Sequence, residues 1–133
     1  MAAKKETLSD SILNAVLRNV AYTSPAAVFA ALYTVAPTAT TAGTEVATGG
    51  GTLYNRVAVT FGAAAAGVCA NSGAVTFPVA GASWGSVVAV AITDDGTPGA
   101  GNQLYFGNLS SAKSVGVGDE LNFAIGALSV TEN

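Results

Sequence analysis

The sequence predicts a mainly β protein, an antiparallel β-sandwich or jelly-roll-like barrel with one short N-terminal helix. Three observations carry that expectation. After Pro25 the apolar residues recur in short runs of period two; clusters of Gly, Ala, Thr, Ser and Asn separate those runs; and helical spacing of apolar residues occurs before Pro25. A chain of 133 residues is the size of one domain, and such a domain buries roughly two-thirds of the surface its unfolded chain exposes. The expected organisation is an N-terminal helical arm over residues 1–25 and a β-sandwich domain over 26–133.

The helix is read from "TLSDSILNAVLRNV", where Leu8, Ile12, Leu13, Val16, Leu17 and Val20 form one apolar stripe. Thr7 is placed to cap its start, with Asp10 as an imperfect capping-box partner. Pro25 ends any continuation, because the residue before proline is pushed out of helical dihedrals. Strand patterns follow. "AVFAALYTV" puts Phe29, Ala31, Tyr33 and Val35 on one face and Ala30, Leu32 and Thr34 on the other. "LYNRVAVTF", "GAVTF", "SVVAVAIT", "QLYFGNL", "ELNFAI" and "ALSVT" alternate in the same way, giving seven candidate strands. Stretches such as "DDGTPGAGN" and "SSAKSVGVGD" read as the turns between them.

Charge is scarce and uneven. Charged residues make up 10% of the chain and the formal net charge is −3, with five basic residues. That excludes the clustered Lys and Arg that a nucleic-acid partner requires. Lys4, Lys5, Glu6, Asp10 and Arg18 crowd the first 18 residues, whereas Glu45 and Arg56 are the only charges from Asn19 to Thr93. A stretch so poor in charge has little protection against adhesion. It suggests a subunit whose surface is covered in its working state. No apolar run approaches the roughly 18–20 residues that span a bilayer, so no membrane partner is expected. The opening "MAAKKETLSD" leads into a polar-dotted pattern unlike a signal peptide, and folding in the cytoplasm of the cell that makes the protein is expected.

Chemistry has little to work with. The chain has no histidine, which removes the commonest general base and metal ligand. Cys69 is the single cysteine and reads as a small half-buried apolar residue. Asp94 and Asp95 stand in a Gly- and Pro-rich turn without the ligand spacing of a calcium loop. Asp119 and Glu120 read as a turn into a strand. No catalytic residue, metal site or cofactor is expected, and an enzyme is not the reading. Gly49-Gly50-Gly51 lack the lysine and the following helix of a phosphate loop, so they read as a turn at a strand entrance. Arg56 is either an exposed arginine, a subunit contact or the partner of Glu45. Trp84 is either a core anchor or an interface residue, since an indole buries much area and keeps one polar N–H.

The order of motifs resembles a family of small virion proteins of tailed bacteriophages. Its carriers here are Thr44-Glu45-Val46, Gly49-Gly50, Tyr54 and Arg56, Val59 to Phe61, Asn71, Thr76 to Pro78, Trp84-Gly85, Lys113, Gly118-Asp119, and Gly126 with Leu128. Ser83 stands where relatives often have an acid, and "DDGTPGAGN" is longer than the usual turn. The resemblance implies a non-enzymatic structural part of the virion surface, a capsid decoration (cement) protein bound to the major capsid protein and to copies of itself, with trimers favoured. A tail-fibre or baseplate component touching a host receptor is the alternative it implies. Leu8, Ile12, Leu13, Val16, Arg56 and Trp84 are the interface candidates.

Overall fold

Along the chain of the computed structural model, which describes residues 3–132, the elements run β1 (Ala3–Lys4), α1 (Glu6–Arg18), β2 (Val28–Val35), β3 (Thr44–Glu45), β4 (Val57–Val59), β5 (Val68–Ala70), β6 (Val75–Thr76), β7 (Gly85–Thr93), β8 (Gln103–Val115), β9 (Asn122–Phe123) and β10 (Ser129–Thr131). The two strands with the clearest alternation, β2 and β7, pair antiparallel from Phe29↔Thr93 to Tyr33↔Ala89 and form the centre of the main sheet. That sheet has six strands in the order β1-β8-β7-β2-β3, with β4 also on the outer edge of β2. The antiparallel pairs β5/β10 and β6/β9 make the second layer.

Period-two alternation, interrupted in β7 by a register shift between Val87 and Ala89, decides which residues meet. Ala30, Leu32, Val87 and Ile92 of the main sheet join Val75, Phe77 and Leu128 of the second layer in one buried cluster, with Tyr54 and Trp84 inside it. The opposite face of the main sheet carries Ala31, Tyr33, Ala89 and Ala91, with Phe106 against them. Small residues there let the covering chain lie close. The layers form an open sandwich. The jelly-roll-like barrel is set aside, because the sheets do not close on one another and β8 keeps a free edge beyond its short pairing with β1 at Tyr105–Phe106.

Several local expectations change. The helix begins earlier than Thr7: its N-cap is Lys5, without a side-chain cap. The Ala39 carbonyl accepts the Glu6 N–H instead, 3.0 Å away, so a tertiary contact does the work of a capping side chain. The helix ends at Asn19 in the left-handed conformation, φ 54°, well before Pro25. "LYNRVAVTF" is a strand only at Val57–Val59, because Leu53 takes φ 59° and breaks the alternation upstream. β8 runs on through residues that resemble a turn, and its register jumps from Ala89↔Asn108 to Val87↔Lys113. Leu109–Ala112 therefore stand opposite the single Val88 and leave the ladder as a four-residue bulge.

Candidate functional site

The polar centre of the molecule joins the two lone charges of the central stretch. Glu45 sits at the end of β3 and Arg56 immediately before β4, both against the outer edge of β2. Arg56 Nε and Nη2 donate to the two Glu45 carboxylate oxygens at 2.9 and 2.8 Å. The side chains are 3% and 12% exposed. Arg56 Nη1 turns the other way and donates to Asp95 O at 2.7 Å, Ala100 O at 2.9 Å and Thr93 Oγ1 at 3.3 Å. Glu45 in turn accepts the Gly99 N–H at 2.9 Å. One ion pair thus grips the β7–β8 loop near its start and its end.

Tyr54 ties this pair to the core. Its hydroxyl accepts the Leu32 N–H at 2.9 Å and donates to Glu45 Oε2 at 2.7 Å, while its ring meets Trp84 edge-on at a centroid distance of 5.4 Å. Burial alone pushes the Glu45 carboxyl up, but the bonds from Arg56, Tyr54 and the Gly99 N–H outweigh it and hold the group below the usual carboxylate range. Burial, and the Glu45 charge beside it, push the Tyr54 hydroxyl up. The pair is therefore ionised near neutral pH, with the Glu45 carboxylate giving up its charge only in acid.

The loop it holds is internally closed. Asp94 accepts the Asn102 backbone N–H at 2.6 Å, and Asp95 Oδ1 accepts the Thr97 N–H at 2.8 Å. These carboxylates act as turn formers, as their sequence context suggests. Beside the loop lies a polar recess of about 370 Å³ that includes Tyr33, Glu45, Arg56, Asn102 and Gln103 in its lining. Lys5 borders it, its ammonium spent on the carbonyls of Thr38 and Thr41. Burial lowers the Lys5 pKa.

The six interface candidates separate into buried and exposed positions. Leu8, Arg56 and Trp84 are buried; Trp84 Nε1 donates to Thr52 O at 2.8 Å within the core. Ile12 is half-buried. Leu13 and Val16 are exposed at 54% and 74%, and Leu17 joins them at 75%. Helical spacing explains the split: Leu8 and Ile12 share the side toward the body, and Leu13, Val16 and Leu17 share the other. Lys5, Tyr54 and the buried Asn71 are structural residues that sequence reasoning missed. Asn71 bridges Gly73 O, Ala124 O and the Leu128 N–H, a role that leaves no periodic trace.

Among the described residues no three His, Cys, Asp or Glu side chains gather to hold a metal ion, and no helix is long and apolar enough to cross a membrane. The Cys69 thiol donates to Gly62 O at 3.0 Å. The family model described as Podophage GP4 fiber I protein gp80 matches residues 3–131. No curated protein matches the chain.

Proposed function

The chain belongs to the family described as Podophage GP4 fiber I protein gp80, a phage structural protein family of fibre type, and from that premise we propose that it is a capsid decoration subunit that binds the outside of the major capsid lattice and stabilises it. One observation carries the reading. Glu45 and Arg56, the only charges between Asn19 and Thr93, are spent on each other in the interior. That part of the chain puts no free charge on its surface, yet it exposes Leu53, Val35 and Val79. Such a surface is suited to being covered, because no ion must be stripped of water when a neighbour settles on it. A sandwich with a short N-terminal helix also fits a subunit spread over a shell.

A fibre or baseplate component touching the host is the second reading, favoured by the fibre in the family's name and by the 94–102 loop that the ion pair holds. The deciding experiment adds purified protein to shells that lack it. The decoration reading expects saturable binding at lattice multiplicity, visible in a reconstruction, with a higher melting temperature of the shells. Density confined to the tail, together with no binding to shells, overturns it.

A further inference from the structure

The molecule carries two open surfaces of opposite shape, an apolar helix face and a cleft whose apolar floor is edged by serine, asparagine and one lysine. The convex one is the outer side of α1, where Leu13, Val16 and Leu17 stand in solvent. The concave one is a cleft of about 590 Å³ at the open side of the sandwich, between β8 and the β9–β10 segment, with Ile92, Leu109, Leu121, Phe123, Leu128 and Val130 among its lining. That volume lies in the range of roughly 300–1,000 Å³ typical of binding clefts.

We propose that α1 of one copy seats its Leu13, Val16 and Leu17 side chains in this cleft of a second copy, a head-to-tail contact between identical chains. Charge and length argue for that occupant. Among the described residues Lys113 is the one ionic side chain of the cleft's lining. The exposed acids Glu6 and Asp10 precede the stripe on the same side of α1, so a seated helix brings carboxylates to the Lys113 ammonium. From Glu6 to Leu17 is about 16 Å along a helix axis. From Lys113 to Tyr105, measured on β7 between their partners Val87 and Ile92, is also about 16 Å. The helix in a groove is a familiar way to bury an i, i+3, i+4 stripe. A head-to-tail contact closes into a ring or continues as a filament, and every chain gives one helix and receives another.

The test uses the full chain with Cys69→Ser, so that introduced cysteines act alone. Two variants, Leu13→Cys and Leu109→Cys, are oxidised separately and as a mixture. The mixture is expected to form a disulfide-linked dimer containing one chain of each, and the separate samples to remain uncross-linked. Cross-linking of Leu13→Cys with itself shows a symmetric helix pair and overturns the proposal. So does a doubly substituted chain that closes the bridge only within itself, or a chain that sediments as a monomer. Sedimentation of Leu13→Ser/Val16→Ser/Leu17→Ser, whose changes are in solvent, is expected to show self-association weakened on the order of 100-fold or more. Lys113→Glu is expected to weaken it about tenfold, with Asp10→Lys in the same chain restoring it. Unchanged association in the triple variant refutes the helix as the donor, and unchanged association in Lys113→Glu refutes the charge match. None of these outcomes depends on where the protein sits on the virion.

Discussion

Replacing Arg56 by Met tests whether the Glu45–Arg56 pair is the staple of the β7–β8 loop. The substitution removes five hydrogen bonds, two to Glu45 and three to Thr93, Asp95 and Ala100. It leaves the Glu45 carboxylate in the interior with only Tyr54 and the Gly99 N–H as donors. Removing one member of a buried pair costs about 3–5 kcal/mol, chiefly through the charge left behind. Against a total stability of about 5–15 kcal/mol that is a large fraction. For a domain of this length it corresponds to a melting temperature lowered by about 12–20 °C.

Urea denaturation of Arg56→Met, Glu45→Gln and the double variant measures the effect. The double variant is expected to recover part of the loss, with a coupling of at least about 2 kcal/mol, because neither charge is then stranded. Glu45 also sets a pH dependence. Its folded pKa lies below its unfolded value of about 4.3, so its contribution is complete above that pH and is lost as the pH falls through the folded pKa. The stability curve of Glu45→Gln should accordingly be flatter below about pH 4.5. Single variants that each cost under about 1 kcal/mol, or that add without coupling, would refute the staple.

Substitutions at Trp84, Gly99 and Gly101 probe the core and the loop. Trp84→Phe loses the bond from Nε1 to Thr52 O, but that carbonyl keeps the Gly81 N–H at 3.1 Å. Circular dichroism should therefore show a loss of about 1–2 kcal/mol, against about 3–5 kcal/mol for Trp84→Ala; equal losses would mean that the indole N–H, not the ring, dominates. Gly99 and Gly101 have φ +80° and +70°, yet a Cβ at Gly99 meets open space whereas one at Gly101 collides with Asp95 and Asp94. Gly99→Ala should cost about 1–2 kcal/mol for the left-handed backbone alone and Gly101→Ala measurably more by thermal denaturation, while equal costs would show that the loop yields freely.

The legible parts of the fold are those in which side-chain period and burial coincide. Ala30 and Leu32 face the inter-layer core while Ala31 and Tyr33 face the other way, so β2 announces itself, and β7 does likewise from Ala89 to Ile92, whereas its register shift between Val87 and Ala89 leaves no mark in the pattern. β1, β3 and β5 are two or three residues long, too short to show a period, and they exist because a distant strand offers its edge. The start of α1 is set by the Ala39 carbonyl across the fold, which accepts the Glu6 N–H and which no capping pattern encodes. In the site, the pairing of Glu45 with Arg56 was legible as one alternative, since each is the only opposite charge in its stretch. The grip on the 94–102 loop was not, because it rests on backbone carbonyls that every sequence possesses.

The same ion pair links the fold to the proposed role. A buried pair is weak evidence of stability, because a well-packed apolar pair often does as well. Its value here lies in geometry and in what it removes from the surface. Two bonds from Arg56 Nη1, to Asp95 O and Ala100 O, and one from the Gly99 N–H to Glu45 fix the path of a glycine-rich loop. By turning both charges inward, the chain also leaves the outside of residues 19–93 without an ionic group to desolvate. Outward-facing charges survive before Asn19 and beyond Thr93, among them Glu6 and Asp10 on the helix and Lys113 at the cleft. In this chain, contact area and contact orientation are assigned to different residues: uncharged surface lowers the cost of being covered, and the few remaining charges set which way a neighbour fits.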